Sequence, residues 1–201
     1  CSTSATFRFM STTRPEVLPV LVADIGGTNA RAALITRPGR EPETVYSRPT
    51  ADYPDLAGFL RAAIAALGSD PLPSRIICAL ASPLHEDTVQ LTNAGWTFSI
   101  AATRRLLGIE HLELVNDWVA QGWAVTGLTE PWLAYRRGGR PASNAPRLAL
   151  GPGTGLGSAL VTPCDKGWRV FAAEGGHISF GITSRREAEI DRNTQTSAAQ
   201  I

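Results

Sequence analysis

Leu21-Val22-Ala23-Asp24-Ile25-Gly26-Gly27-Thr28-Asn29-Ala30-Arg31-Ala32-Ala33-Leu34 is the stretch on which the fold turns. An apolar run, Leu18 to Ile25, is interrupted by one proline and one acid. A Gly-Gly-Thr-Asn turn follows, and a second run of small apolar residues extends from Ala30 to Ile35. Two strands joined by a tight glycine turn account for this pattern. Farther along, Arg147-Leu-Ala-Leu-Gly-Pro-Gly-Thr-Gly-Leu-Gly-Ser-Ala-Leu160 repeats the plan of strand, Gly/Thr turn and strand. An internal repeat of this kind points to two related lobes facing one another across a cleft. A chance likeness between two glycine hairpins is the alternative.

Working outward from the first hairpin, Thr44–Arg48 reads as a third strand. Pro54 opens a helix through Leu67, with Leu56, Phe59, Leu60, Ile64 and Leu67 on one face and Gly68 ending it. Arg75–Leu80 and Val89–Leu91 read as strands and Ile100–Leu107 as a helix stopped by Gly108. His111–Val115 is a strand that delivers Asn116 and Asp117 at its carboxyl end, before a helix through Val125. Residues 127–146 are rich in Gly, Pro, Arg and Ser and read as a connection. Strands at Arg147–Leu150, Ser158–Thr162 and Trp168–Ala172 follow, and Ser184–Ile201 is polar without an apolar stripe. The expected division is an unstructured leader over 1–17, an α/β lobe over 18–126, and the start of a second α/β lobe over 127–201.

The 201 residues are 43% apolar and 18% charged with a net charge of +1, the balance of a globular protein with enough apolar content to form a core. With no dense Lys/Arg stripe, nucleic acid is not expected as a partner. No apolar run approaches the ~18–20 residues of a membrane span. Cys1, Cys78 and Cys164 are too scattered for a zinc knuckle or a disulfide framework and read as thiols of a reducing compartment. The first fifteen residues hold Arg8 and Arg14 among Ser and Thr without an acid. That composition fits an unstructured extension or, as the lesser alternative, an organellar transit peptide.

Glycine turns bind phosphate because backbone N–H groups can approach the oxygens with no side chain in the way. Asp24 adds a carboxylate able to hold Mg²⁺, directly or through water, and Thr28 adds a hydroxyl. Gly153-Thr154-Gly155 offers a second clamp. A G-x-x-x-x-G-K-[ST] loop is missing, and the dinucleotide fingerprint fails because Leu156 and Ser158 stand where its last glycine belongs. A carboxylate at Asp117 can take a proton from an attacking hydroxyl. It can equally cap the helix that follows. Glu174-Gly175-Gly176-His177 puts a carboxylate and an imidazole on one tight turn, suited to pairs of sugar hydroxyls or merely solvated.

Five segments in order, DIGGTNAR, LTNAGW, ELVNDW, GPGTGLG and EGGH, together resemble the bacterial glucokinases, a hexokinase-like branch of the actin-like ATPases. The resemblance runs from about Leu18 to about Phe180 and includes DYPDL at 52–56. It implies an α/β fold with a ribonuclease-H-like core, the N-terminal lobe nearly complete and the second partial. It also implies a cytoplasmic enzyme that uses ATP and Mg²⁺ to phosphorylate the 6-hydroxyl of glucose, in a family where homodimers are admissible. Asp24, Ile25, Gly26, Gly27 and Thr28 match the first phosphate motif. Gly153, Thr154 and Gly155 match the second, with Pro152 where the family more often has Ala. Asn93, Asn116, Glu174 and His177 match glucose ligands, and Asp117 matches the catalytic base.

Two departures stand beside this. The family continues past EGGH-x-x-F into long helices supplying another glucose-binding glutamate and the adenosine pocket, whereas here SRREAEI leads into a polar tail. Glu187 and Glu189 fall in the expected acidic start of a helix, so neither is assigned to that missing role. The expectation is a shortened chain with little activity of its own, whose second-lobe strands leave an apolar face uncovered. The competing reading is a non-catalytic, sugar-binding relative; a sugar-responsive transcription factor would need a helix-turn-helix for which the leader has no room.

Overall fold

The computed structural model describes residues 18–37, 41–82, 84, 86–91, 94–128, 133–134, 142, 144–152, 156–165, 167–173 and 181–198. Its strands are β1 (Val20–Ile25), β2 (Asn29–Ile35), β3 (Val45–Pro49), β4 (Arg75–Leu80), β5 (Thr88–Leu91), β6 (Trp96–Ser99), β7 (His111–Asn116), β8 (Arg147–Pro152), β9 (Leu156–Cys164) and β10 (Gly167–Ala173). Its helices are α1 (Leu56–Leu67), α2 (Ile100–Leu107), α3 (Asp117–Gly127) and α4 (Arg185–Ala198).

The first hairpin becomes the centre of a five-stranded sheet ordered β3-β2-β1-β4-β7. β1 runs antiparallel to β2 and parallel to β4, and β4 runs parallel to β7. This is the arrangement expected of a ribonuclease-H-like core: an antiparallel meander extended by strands that must return through crossovers. Strand alternation sorts the two faces. Leu21, Ala23 and Ile25 of β1, with Ile76, Cys78 and Leu80 of β4, face α1 and bury Leu56, Phe59, Leu60 and Ala63. The opposite face carries Val22, Asp24 and Ala79, so the one acid of β1 is turned away from the core.

Helix ends follow local chemistry. Asp55, not Pro54, caps α1: its carboxylate accepts from the Gly58 N–H at 2.7 Å. Pro54 therefore lies just outside the helix. Gly68 and Gly108 end α1 and α2 in the left-handed conformation that glycine adopts without strain. α4 begins where the acidic Glu187 and Glu189 suggest a helix start, and it runs on through the segment read only as polar. Its start is a capping box: Glu187 N–H donates to Ser184 Oγ at 3.2 Å, while Glu187 Oε2 accepts from Ser184 N–H at 2.9 Å.

A second sheet, β10-β9-β8, is a local antiparallel meander. One face lies on α3, and the other presents Leu148, Leu150, Leu160 and Phe171, each at least 40% exposed. Leu148, Leu160 and Phe171 are register partners across all three strands, so they form one apolar row. This is the uncovered face that the sequence reading expects. A third, two-stranded sheet pairs β5 with β6. It buries Val89, Leu91, Trp96 and Phe98 in the core of the first sheet. Among the described residues no helix is long and apolar enough to cross a membrane.

Candidate active site

Asp24 and Asn116-Asp117 come together because parallel strands carry their carboxyl ends to one edge of the sheet, where open α/β sheets bind ligands. Ile25, Leu80 and Asn116 are in register across β1, β4 and β7. The Asp24 and Asn116 positions are thus about two strand spacings apart, ~10 Å. Asp117 opens α3 one residue later. Asp24, Arg31, Ala79, Asp117 and Gln121 line a single cavity of about 290 Å³. A larger hollow of about 560 Å³ lies at the other end of β2, around Arg37, Glu41 and Glu43. It shares no lining residue with the first and brings no pair of predicted site residues together.

Asp24 still reaches solvent, but partial burial in the hollow is the main cause that pushes its carboxyl above the ordinary carboxylate range; the negative charge of Asp117 adds to this, while Arg31 pulls it down. Arg31 is the register partner of Asp24 on β2. Two anions and one cation in one hollow form an anion-rich site, and a bound divalent cation would relieve both the burial and the repulsion. Among the described residues no group of three or more His, Cys, Asp and Glu could hold a metal. Beside these carboxylates, water and phosphate oxygens could complete the shell of such an ion.

Asn116, rather than Asp117, is the helix cap. Its Oδ1 accepts from the Trp118 N–H at 3.0 Å and the Val119 N–H at 3.2 Å. These two donors fix the amide orientation and make Nδ2 the end available to donate. Asp117 Oδ1 accepts from the same Trp118 N–H at 2.9 Å. The capping role considered for the acid has gone to its neighbour.

The first glycine turn closes through Gly26 N–H donating to Asn29 O at 3.0 Å. It is held from behind by Thr50, which is fully buried and donates its hydroxyl to Gly26 O at 2.8 Å and its N–H to Thr28 O at 2.9 Å. The side chain of Ile25 is buried in the core, so only its backbone faces the turn. Of the second motif the structure describes the flanks, where Gly151 pairs with Gly157 and Pro152 with Leu156. Gly153, Thr154, Gly155, Asn93, Glu174 and His177 lie outside the described residues.

Sequence reasoning missed Arg31, Thr50 and Gln121. Arg31 was within reach by counting: a hairpin that pairs Ile25 with Ala30 must pair Asp24 with Arg31. Thr50 and Gln121 carry no local signal.

The family model described as Glucokinase matches residues 21–201, nearly the whole chain. The chain belongs to the glucokinase family. It is 44% identical over 183 residues to the glucokinase of Chromobacterium violaceum, covering 91% of this chain and 52% of the relative. To the glucokinase of Paramagnetospirillum magneticum it is 42% identical over 172 residues, covering 85% and 53%. The crystal structure of a glucokinase from an Antarctic psychrotroph superposes with a TM-score of 0.72 at 32% identity, covering 89% of this chain and 57% of that one. The chain spans about half the length of the curated relatives it matches. Its ribonuclease-H-like sheet, the fold of the actin-like ATPases, is shared with these glucokinases.

Proposed function

We propose that the protein carrying this sequence is an ATP-dependent glucokinase, transferring the γ-phosphoryl group of ATP to the 6-hydroxyl of glucose. The observation that carries the reading is the meeting of Asp24 and Asp117 in one cavity at the carboxyl ends of parallel strands, in a chain whose relatives are glucokinases. The two sheets are then the facing walls of two lobes, one over 18–126 and one beginning in 127–201.

In this reading Asp117 uses the oxygen not engaged by the Trp118 N–H to take the hydroxyl proton as the sugar oxygen bonds to phosphorus. The bond from phosphorus to the ADP oxygen breaks, and the proton later passes to water. The Asn116 Nδ2 donates to a sugar hydroxyl, with Asn93, Glu174 and His177 completing the sugar's contacts. Gly26 N–H is engaged within its own turn, so the amides of Gly27 and Thr28 are the donors offered to phosphate. The flanked turn Gly153-Thr154-Gly155 supplies the second clamp. Asp24 would hold Mg²⁺, directly or through water, and the ion would neutralise charge on the phosphates.

The test is a coupled assay for glucose 6-phosphate at the length of the relatives, with Asp117→Asn beside wild type. The amide keeps size and hydrogen bonding but takes no proton, so kcat should fall by ~10²–10⁴-fold while glucose binding persists. A variant with nearly full kcat removes Asp117 from the mechanism. A wild type that binds glucose without turnover favours the non-catalytic relative.

A further inference from the structure

Trp118 touches both halves of this site. Its ring lies over the paired glycines that frame the second turn: a Cβ on Gly157 would fall 1.6 Å from its Nε1, and one on Gly151 would fall 2.6 Å from its Cη2. The indole therefore rests on bare backbone. Glycine weakens a strand unless something must come close, and here the ring is what comes close. The main chain of the same residue serves the first half, its N–H donating to Asn116 Oδ1 at 3.0 Å and Asp117 Oδ1 at 2.9 Å. Farther along α3 the seating continues. A Cβ on Gly122 would meet Val170 Cγ1 at 2.5 Å, and the Arg147 guanidinium donates to Val125 O at 3.0 Å. α3 thus follows the β8–β9–β10 sheet, although it is joined in sequence to the end of β7.

We propose that Trp118 is a positioning residue, coupling nucleotide binding on the β8–β9 hairpin to the orientation of Asp117. The inference rests on reading Asp117 as the base. Phosphate oxygens drawn to the hairpin stiffen the glycine floor under the indole, and the indole fixes the N–H that holds Asp117 Oδ1. A ring that only filled space would contribute stability without linking the two ligands.

The experiment measures glucose affinity calorimetrically in the full protein, with and without saturating Mg-AMPPNP, in wild type, Trp118→Leu and Trp118→Phe. In wild type the nucleotide should tighten glucose binding by roughly fivefold or more. In Trp118→Leu that enhancement should vanish while glucose affinity without nucleotide stays within about threefold of wild type, so KM for glucose at saturating Mg-ATP should rise by about the lost factor. Its kcat should fall on the order of 10²-fold, the effect of about 1 Å of misplacement. Enhancement and kcat both retained in Trp118→Leu would overturn the proposal, as would a wild type that binds both ligands without enhancement. Should Trp118→Leu fail to fold, Trp118→Phe decides: its smaller ring should lose at least about half of the enhancement, and full retention counts against the coupling. A wild type that binds neither glucose nor Mg-AMPPNP defeats the functional reading itself, a different and distinguishable failure.

Discussion

At the first glycine turn the support is a hydroxyl: Thr50, buried behind Gly26, hydrogen-bonds to two of the turn's carbonyls. At the second it is an aromatic ring, with Trp118 lying on Gly151 and Gly157. The two hairpins share a sequence plan, yet their glycines answer different demands. A Cβ on Gly26 would come no nearer than 3.1 Å to Asn29 O, and that turn needs no left-handed backbone there. A side chain at Gly26 would crowd that backbone oxygen, and the turn would have to give by a few tenths of an ångström, a small demand beside the one at Gly157. At Gly157 the fold itself forbids a side chain. Similar glycine motifs can thus stand under unequal steric demands, and only the surroundings tell which.

The sharpest way to break this comparison is Gly157→Ala. The added methyl has no room beside Trp118, so the variant should lose about 3 kcal/mol, the upper range of overpacking, in urea denaturation. Adding Trp118→Leu should restore most of it; an unchanged midpoint in the single variant would mean the ring is not seated where described. Next in size is Thr50→Val, which keeps volume but strips the donor from Gly26 O. A loss of about 1–2 kcal/mol is expected, with Thr50→Ser recovering part. Gly26→Ala should cost less than about 1 kcal/mol in the same denaturation. It should nevertheless weaken Mg-AMPPNP binding roughly tenfold, the worth of one charge-assisted hydrogen bond. If it instead unfolds the chain and spares the nucleotide, the contrast between the turns collapses.

The smallest expected effect is a matter of sign. Asp24 has its carboxyl raised, chiefly by burial. An acid whose folded pKa lies above its unfolded value favours the folded state when protonated. Its cost is therefore absent below the ordinary value, grows as pH rises through the folded pKa, and is fully present at neutrality. Asp24→Asn should then raise the denaturation midpoint at pH 7 and leave it unchanged at pH 3, while weakening Mg-nucleotide binding. A lower midpoint at pH 7 would show that Arg31 outweighs burial.

Period and punctuation made most of the fold legible. The alternation in β1, the helical face of Leu56, Phe59 and Leu60, and the stops at Gly68 and Gly108 are local signals, and the structure follows them. Of α4 only the acidic start at Glu187 and Glu189 was legible; its extent was not, because the segment is polar throughout. The Ser184-x-x-Glu187 box was there to be read. In the site, Asp24 and Asp117 could be named from motifs because their chemistry is written in neighbouring residues. Thr50 and Trp118 could not, since each acts on backbone distant in sequence, 24 residues away for Thr50 and Gly26. The cap at Asn116 was misplaced by one residue because Asn and Asp cap equally well, and only the chain's direction at the end of β7 decides between them.

Cys78 lies at the midpoint of β4, wholly buried, and burial pushes its thiol up to about 12. The reactive thiolate is almost absent at neutral pH, and no alkylating agent reaches the sulfur while α1 covers β4. Its modification must wait until the five-stranded sheet separates, so the rate of Cys78 labelling is a clock for global opening of that sheet. Mass spectrometry on cleaved peptides would read the clock for this one cysteine. A ligand that bridges Asp24 and Asp117 across β4 should slow it in proportion to its occupancy.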